Sequence, residues 1–322
     1  MSHASIPVFV PHLACPNQCI FCDQKKIAGT EEAKVEIYDY LYSAASELKG
    51  RFSEVDIAFF GGSFTGIPEP TMRKYLENAV LIREKFPEIT GIRLSTRPDY
   101  INEHILSVLG EYGVTAIELG GQSMCDDVLF ASKRGHTAAQ TEKAARLIKD
   151  GGFELVIQTM TGLYLDTPEK DIETARKVIA LKPDGVRIYP CVTIKGTELE
   201  TLYSEGKYTP QTLESAVELC AVLAEMYEES GIKILRIGLH GSDLYKSDSV
   251  AAGPFHPAFG ELVEGEIIYR RLKNELANTV KPGDIYTLFV PAREVSKTVG
   301  QKRRNIVRLE DEFKIKIKIN II

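Results

Sequence analysis

Short apolar, β-branched runs alternate with stretches of helical periodicity along most of the chain. IPVFV (6–10) predicts a strand, and 32–48 a helix with Leu41, Ala44, Ala45 and Leu48 on one face. VDIAFF (55–60) is a continuous apolar run, the pattern of a parallel strand covered on both sides. The rhythm then repeats: helix 70–85, strand 91–96, helix 101–110, strand 115–120, helix 137–150, strand 153–160, helix 168–180, strand 185–190. Six βα units at a spacing of about 30 residues imply parallel strands with right-handed crossovers. Six are too few for a closed eight-stranded barrel, so the expected fold is α/β, a partial (βα)6 TIM-like barrel over residues 1–240. In such barrels chemistry sits at the C-terminal ends of the strands.

After Pro190 the rhythm changes. A helix at 211–229 leads to a short strand (233–238), a loop rich in Gly, Ser and Asp, and a helix at 258–278. Residues 241–322 are expected to form a C-terminal extension. Within it 284–322 read as strand 285–290, helix 292–299, a glycine-led loop, helix 304–312 and strand 314–320. That β–α–α–β order is the minimal core of a KH fold, a small α+β unit that clamps nucleic-acid backbone with a G-x-x-G loop. Here Gly300-Gln301-Lys302-Arg303 keeps the first glycine and places arginine at the second.

Composition changes the picture little: 44% hydrophobic and 26% charged residues suit a soluble globular protein. With no leader-like start and no apolar run near ~18 residues, the expectation is a cytoplasmic protein without membrane association. Charge says more. Residues 291–322 hold nine Lys or Arg against four acids, a balance of +5, whereas 1–290 carry −11. A basic end on an acidic body suits an anionic macromolecule, and equally a solvated surface. In the first reading Gly300, Lys302, Arg303 and Arg304 would contact RNA; in the second the extension caps the barrel.

Three of the six cysteines fall within eight positions, Cys15-Pro-Asn-Gln-Cys19-Ile-Phe-Cys22, directly after the first strand. Such clustering in a reducing compartment points to metal. Three thiolates can hold three irons of a 4Fe–4S cluster, leaving the fourth open to the amino and carboxylate groups of S-adenosylmethionine. The competing metal is zinc with His12 as fourth ligand, but no second ligand pair follows. Cys125, Cys191 and Cys220 are scattered and expected to be buried as small hydrophobes. Gly61-Gly62-Ser63-Phe64-Thr65 ends the second strand, where a missing Cβ admits close approach of a ligand to backbone. Ser95-Thr96-Arg97 ends the third and offers hydroxyls and a cation for ribose and carboxylate, or else a helix cap before Pro98-Asp99. Lys133, Arg134 and His136 follow the fourth strand as candidate phosphate contacts and proton carrier; the alternative is a turn at Gly135 with exposed charges. His104, His240 and His256 show no ligand spacing and read as surface or packing residues.

FFGGSFT, RLSTRPDYI, IELGGQSMCDDVLFASKRGHT and IYPCVTIKGTELETLYSEGKY, in this order over residues 6–210, resemble the radical domain of the Elongator catalytic subunit family. FHPAFGELVEGEIIYRR (255–271) extends the similarity. The resemblance implies an incomplete barrel, reductive cleavage of S-adenosylmethionine at a 4Fe–4S cluster, an electron donor such as flavodoxin or ferredoxin, and chemistry on tRNA. It carries the ligand role to Cys15, Cys19 and Cys22, places Phe21 near the adenine, and gives Gly61, Gly62, Ser63 and Phe64 the methionyl end. Ser95, Arg97 and Gln122 would line the cofactor. Two departures stand out: the first cysteine spacer is shorter than in that family, and its acetyl-CoA-binding, acetyltransferase-like module is expected to be missing. The leading expectation is a radical enzyme that modifies RNA. Its rivals are the same chemistry on a small metabolite, and a non-catalytic RNA-binding protein with a structural cluster, which would need neither Gly-Gly nor Ser-x-Arg.

Overall fold

A computed structural model describes residues 3–10, 15, 19–22, 36–239 and 249–322. Seven parallel strands form one sheet in consecutive order: β1 (His3–Val10), β2 (Glu54–Gly61), β3 (Ile89–Thr96), β4 (Ala116–Gln122), β5 (Glu154–Thr161), β6 (Gly185–Pro190) and, beyond the short β7 (Thr193–Ile194), β8 (Lys233–Ile237). The helices between them are α1 (Ile37–Leu48), α2 (Glu69–Lys85), α3 (Glu103–Glu111), α4 (Asp126–Ala131), α5 (Ala138–Asp150), α6 (Pro168–Ala180), α7 (Glu198–Ser204) and α8 (Leu213–Glu229). One face of the sheet, with Ile57, Leu94, Leu119, Ile157 and Ile188, packs on Leu41, Leu76, Leu109, Ile148 and Val178 of these helices in a single core. The other face carries Arg93, Glu118, Gln158 and Arg187, which meet one another. A consecutive parallel sheet with helices on one side curves into barrel wall, and β1 and β8 end it without pairing. The result is the expected partial barrel.

The element boundaries follow local chemistry. Side chains of Asn102, Thr137, Thr167, Thr197 and Thr212 each accept a backbone N–H at a helix start, and Thr137 with Gln140 completes a reciprocal capping box. The sheet has one strand more than the six expected βα units, because 233–237 joins it beside β6. The excursion through β7 and α7 hides this unit in the sequence, yet α8 still supplies its crossover helix. No helix among the described residues is long and apolar enough to cross a membrane.

The antiparallel partner of β7 is β9 (Val250–Ala252), which precedes α9 (Phe259–Ala277). This helix is shared. Phe259, Val263 and Ile267 belong to the barrel core, whereas Tyr269 and Leu276 pack with Ile306, Leu309, Ile315 and Ile317 in a second, smaller core. The extension has the expected order: β10 (Ile285–Val290), α10 (Val295–Val299), α11 (Arg304–Phe313) and β11 (Lys316–Ile321), the two strands paired in parallel. Ion pairs tie this region together and to α8: Arg270–Glu225, Arg271–Glu228, Lys297–Glu264, Arg308–Glu266 and Arg304–Glu214.

Candidate active site at the barrel mouth

The cysteine segment lies over the C-terminal ends of the strands. Ile20 N donates to Ser132 O (3.3 Å), and Leu199 N donates to Ile20 O (2.8 Å), which docks the segment between α4 and α7. The Ile20 side chain enters a satellite core with Cys125, Val128, Leu163, Cys191, Leu199 and Tyr208, and Phe21 packs against it, half-buried. Cys19 is buried and its Sγ accepts from Arg134 Nη1 at 3.3 Å; Cys15 and Cys22 are half-buried. Burial pushes the Cys15 thiol up, against the pull of the neighbouring Arg97 and Arg134 guanidiniums. Iron binds the thiolate, and the two guanidiniums beside Cys15 act in that direction against its burial. Among the described residues no three His, Cys, Asp or Glu side chains form a metal-holding group. Residues 11–14, 16–18 and 23–35, with His12, lie outside those described, as does His240.

At the end of β2, Gly61 has φ 109°, and a Cβ there would stand 3.0 Å from Val10 O. Gly62 beside it is half-buried. Ser63 and Phe64 contribute differently from open ligand contacts. The Ser63 hydroxyl is buried, bonded to Thr96 Oγ1 at 2.7 Å, and accepts from Arg97 N at 3.2 Å; Thr65 Oγ1 meets the same Thr96 hydroxyl at 2.6 Å. The Phe64 ring stacks on Phe59 in the core at 4.5 Å between centroids, so what it can offer a ligand is backbone. This lattice fixes the turn that carries Ser95, half-buried on β3, and Arg97. Arg97 stands at the start of a 3-10 turn (Pro98–Tyr100) but makes no side-chain cap. Instead its guanidinium, 3% exposed, clamps Asp99 at 2.9 Å through Nε and Nη2 and donates to Arg134 O at 2.6 Å. Its remaining nitrogen, Nη1, is buried without a hydrogen-bond partner among the described residues. Gln122, at φ 63°, likewise leaves its Oε1 buried and unmet.

Lys133, Arg134 and His136 separate. Gly135 turns at φ 72° as expected, and Lys133 is exposed, paired with Glu198. Arg134, read as an exposed charge in the turn alternative, is buried on Cys19 Sγ and on Gly120 O at 2.6 Å. Burial first, then the charges of Arg134 and Arg97, hold the His136 imidazole down to about 4. It is therefore neutral at pH 7, with Nε2 at 3.3 Å from Gly121 O. Cys125, Cys191 and Cys220 are buried, as expected. His104 is an exposed partner of Glu69, and His256 accepts from Ala258 N.

Sequence reasoning missed the barrel interior. Glu118, fully buried on β4, gathers Arg93, Arg187 and Gln158, and Arg93 continues to Asp56 at 2.9 Å. It also missed the carboxyls of Asp166 and Asp171 beyond β5, where burial, and then the Asp166 charge, raise the Asp171 pKa. In the extension, Gly300 (φ 73°), Lys302 (51°) and Arg303 (61°) bring the loop through positive φ. Arg303 thus adopts at the second glycine position the left-handed conformation a glycine would. Arg304 is bound to Glu214 of α8, whereas exposed Lys302 and Arg303 form no ion pair among the described residues.

Residues 9–178 match the Radical SAM superfamily, and residues 183–269 the Radical_SAM C-terminal domain. The tRNA uridine(34) acetyltransferase of Methanocaldococcus jannaschii is 38% identical over 152 residues, 45% of this chain and 27% of that protein. Human Elongator complex protein 3 is 33% identical over 187 residues, 52% of this chain and 34% of that one. This chain therefore matches about a third or less of the length of these relatives. The solved structure of archaeal Methanocaldococcus infernus Elp3 with an N-terminal deletion aligns with a TM-score of 0.66 and 21% identity, over 85% of this chain and 63% of that one. Methylornithine synthase (PylB) aligns at 0.52 and 19% identity, over 77% of each chain. At such identities these two likenesses concern the fold. Taken with the family match over more than half its length, they leave one assignment: the chain belongs to the radical SAM superfamily, its barrel homologous to the radical domain of the Elongator and tRNA uridine(34) acetyltransferase relatives.

Proposed function

We propose that Cys15, Cys19 and Cys22 hold the 4Fe–4S cluster of this superfamily, and that the chain uses S-adenosylmethionine to modify RNA, with tRNA as the substrate. The observation that carries the pocket is a pair of buried atoms unmet among the described residues: Arg97 Nη1, on a guanidinium beside Cys15 and Cys19, and Gln122 Oε1 at the end of β4. A buried donor and acceptor left unpaired are costly, and a polar ligand resolves both. Held by these three thiolates, such a cluster would supply the electron for reductive cleavage of S-adenosylmethionine. The chain's own residues do the rest. The backbone at the end of β2 receives the methionyl end, Arg97 offers Nη1 to its carboxylate, and Asp99 keeps that guanidinium aimed. Arg134 holds Cys19 against the barrel rim. The RNA half of the reading is supported by the names of the relatives and by Lys302 and Arg303, exposed cations without an ion pair among the described residues.

The test has two readouts. Anaerobically purified protein should carry about four iron and four sulfide, lost in Cys19→Ala and kept in Cys125→Ala. Nucleosides of tRNA from a deletion strain should differ by mass from those of the strain complemented with the parent gene, but not from those of the Cys19→Ala strain. Zinc without iron would refute the metal site; identical nucleosides in all strains would refute the tRNA substrate.

A further inference from the structure

The basic tail is not uniformly free. Of its nine cations, Lys297, Arg304 and Arg308 pair with Glu264, Glu214 and Glu266, and Arg293 pairs with its neighbour Glu294. Besides the two loop cations, this leaves Lys314, Lys316 and Lys318, all exposed and without an ion pair among the described residues. Lys316 and Lys318 stand two residues apart on β11, whereas Lys314, at φ 54°, is the C-cap of α11. Alternation explains the pair: Ile317 points into the small core and Ile319 packs against it, so Lys316 and Lys318 point the other way. On β10 the same outward face carries Ile285 (62% exposed), Thr287 and Phe289 (58% exposed). The register places Ile285 opposite Lys316, Thr287 opposite Lys318 and Phe289 opposite Asn320. No outward position of either strand is acidic, and the carboxylate of preceding Asp284 is engaged by Lys281 N at 2.8 Å.

We infer that the outer face of the β10–β11 sheet, distinct from the glycine-led loop, binds single-stranded RNA, with Phe289 as the platform for one base and Lys316 and Lys318 along the backbone. This rests on the RNA reading above and extends it to a second surface. The argument is charge complementarity joined to an aromatic. A row of uncompensated cations repels itself unless an anion lies along it. Strands are about 4.8 Å apart and two residues span about 6.6 Å, so Lys318 lies about 8 Å from Phe289 between Cα atoms, close enough for both to meet one nucleotide. Stacking on an exposed ring tolerates any base, so the face would add affinity without reading sequence.

The test is fluorescence anisotropy of the full chain with a labelled single-stranded RNA of about 12 nucleotides, at several salt concentrations. Changing Lys316 and Lys318 together to Ala should flatten the log–log salt dependence by about 1.4 units, at ~0.7 per contact. Phe289→Leu should weaken binding by between about 5- and 150-fold with the slope unchanged, and Phe289→Tyr should restore it. All side chains involved are exposed, and matching melting curves would show that the variants fold. Parent-level affinity and slope in both the lysine and Phe289→Leu variants would overturn the inference and assign the face to a protein partner. If the parent itself binds no RNA, the failure lies with the RNA reading as a whole.

Discussion

Replacing Glu118 with alanine should remove more stability than any other single change in the barrel interior. Its carboxylate, wholly buried, accepts from Arg93 Nη1 (3.1 Å), Arg187 Nε (2.8 Å) and Nη2 (3.0 Å), and Gln158 Nε2 (3.0 Å). Arg93 keeps Asp56 as a second partner, but among the described residues Arg187 pairs with no other carboxylate. With Glu118 gone, Arg187, its side chain 17% exposed, is a nearly buried charge without compensation. Breaking such a pair from one side costs about 3–5 kcal/mol. For a chain of this size roughly 2 °C is lost per kcal/mol, so the melting temperature should fall by about 6–10 °C. Glu118→Gln keeps the shape and one acceptor and should fall between. Thermal melts followed by circular dichroism measure both. A paired change, Glu118→Met with Arg187→Met, separates the ion pair from simple packing. Removing both charges should cost less than the two single changes added together, because the second change removes the stranded charge. A loss below about 1 kcal/mol for Glu118→Ala, or strict additivity in the pair, would refute the argument that charge compensation holds this interior.

Two further outcomes test the mouth. Arg97→Ala should raise the dissociation constant of cluster-loaded protein for S-adenosylmethionine by roughly 10- to 100-fold, the value of one charge-assisted hydrogen bond, with iron content unchanged. Equilibrium dialysis measures it, and parent affinity would place the cofactor elsewhere. His136, neutral when folded, has its pKa depressed to about 4 from 6.5. The unfolded chain therefore takes up the proton first, and stability should fall by up to about 3 kcal/mol as pH drops from 6.5 to 4. His136→Gln should flatten that part of the denaturation profile; an unaltered slope would assign it to other groups.

What the sequence made legible was local. The cysteine spacing, the Gly-Gly after an apolar run and the β–α–α–β order of the extension each occupy a few consecutive residues, so their chemistry can be read without knowing what lies across from them. The interior network could not be read this way. Asp56, Arg93, Glu118, Gln158 and Arg187 are each a charged or amide residue in the middle of a largely apolar strand, far from one another in sequence. They meet only because five strands present their inward positions at similar heights. A signal existed nonetheless: a single charged or amide residue recurring mid-strand in five successive units is improbable in strands buried on both faces.

Arg134 shows how a local reading can fail for a specific physical reason. Beside Gly135 it looks like turn charge destined for solvent, and its neighbour Lys133 behaves so. Its fate is decided on another strand. The β4–β5 pairing slips between Gly120 and Gln122, a bulge that disrupts the ladder beside Gly120 O and swings Gln122 into positive φ. Space at the bulge is tight: a Cβ on Gly121 would press Thr141 at 3.3 Å, and one on Gly120 would meet Gln122 Nε2 at 3.1 Å. The Gly120 carbonyl then takes Arg134 Nη2, which sets Nη1 against Cys19. Two glycines inside a strand are a bulge signal in their own right. Taken that way, GGQ at 120–122 links the strand end, the buried arginine and the cysteine segment in one construction, and explains why a cation so close to a turn is withheld from water.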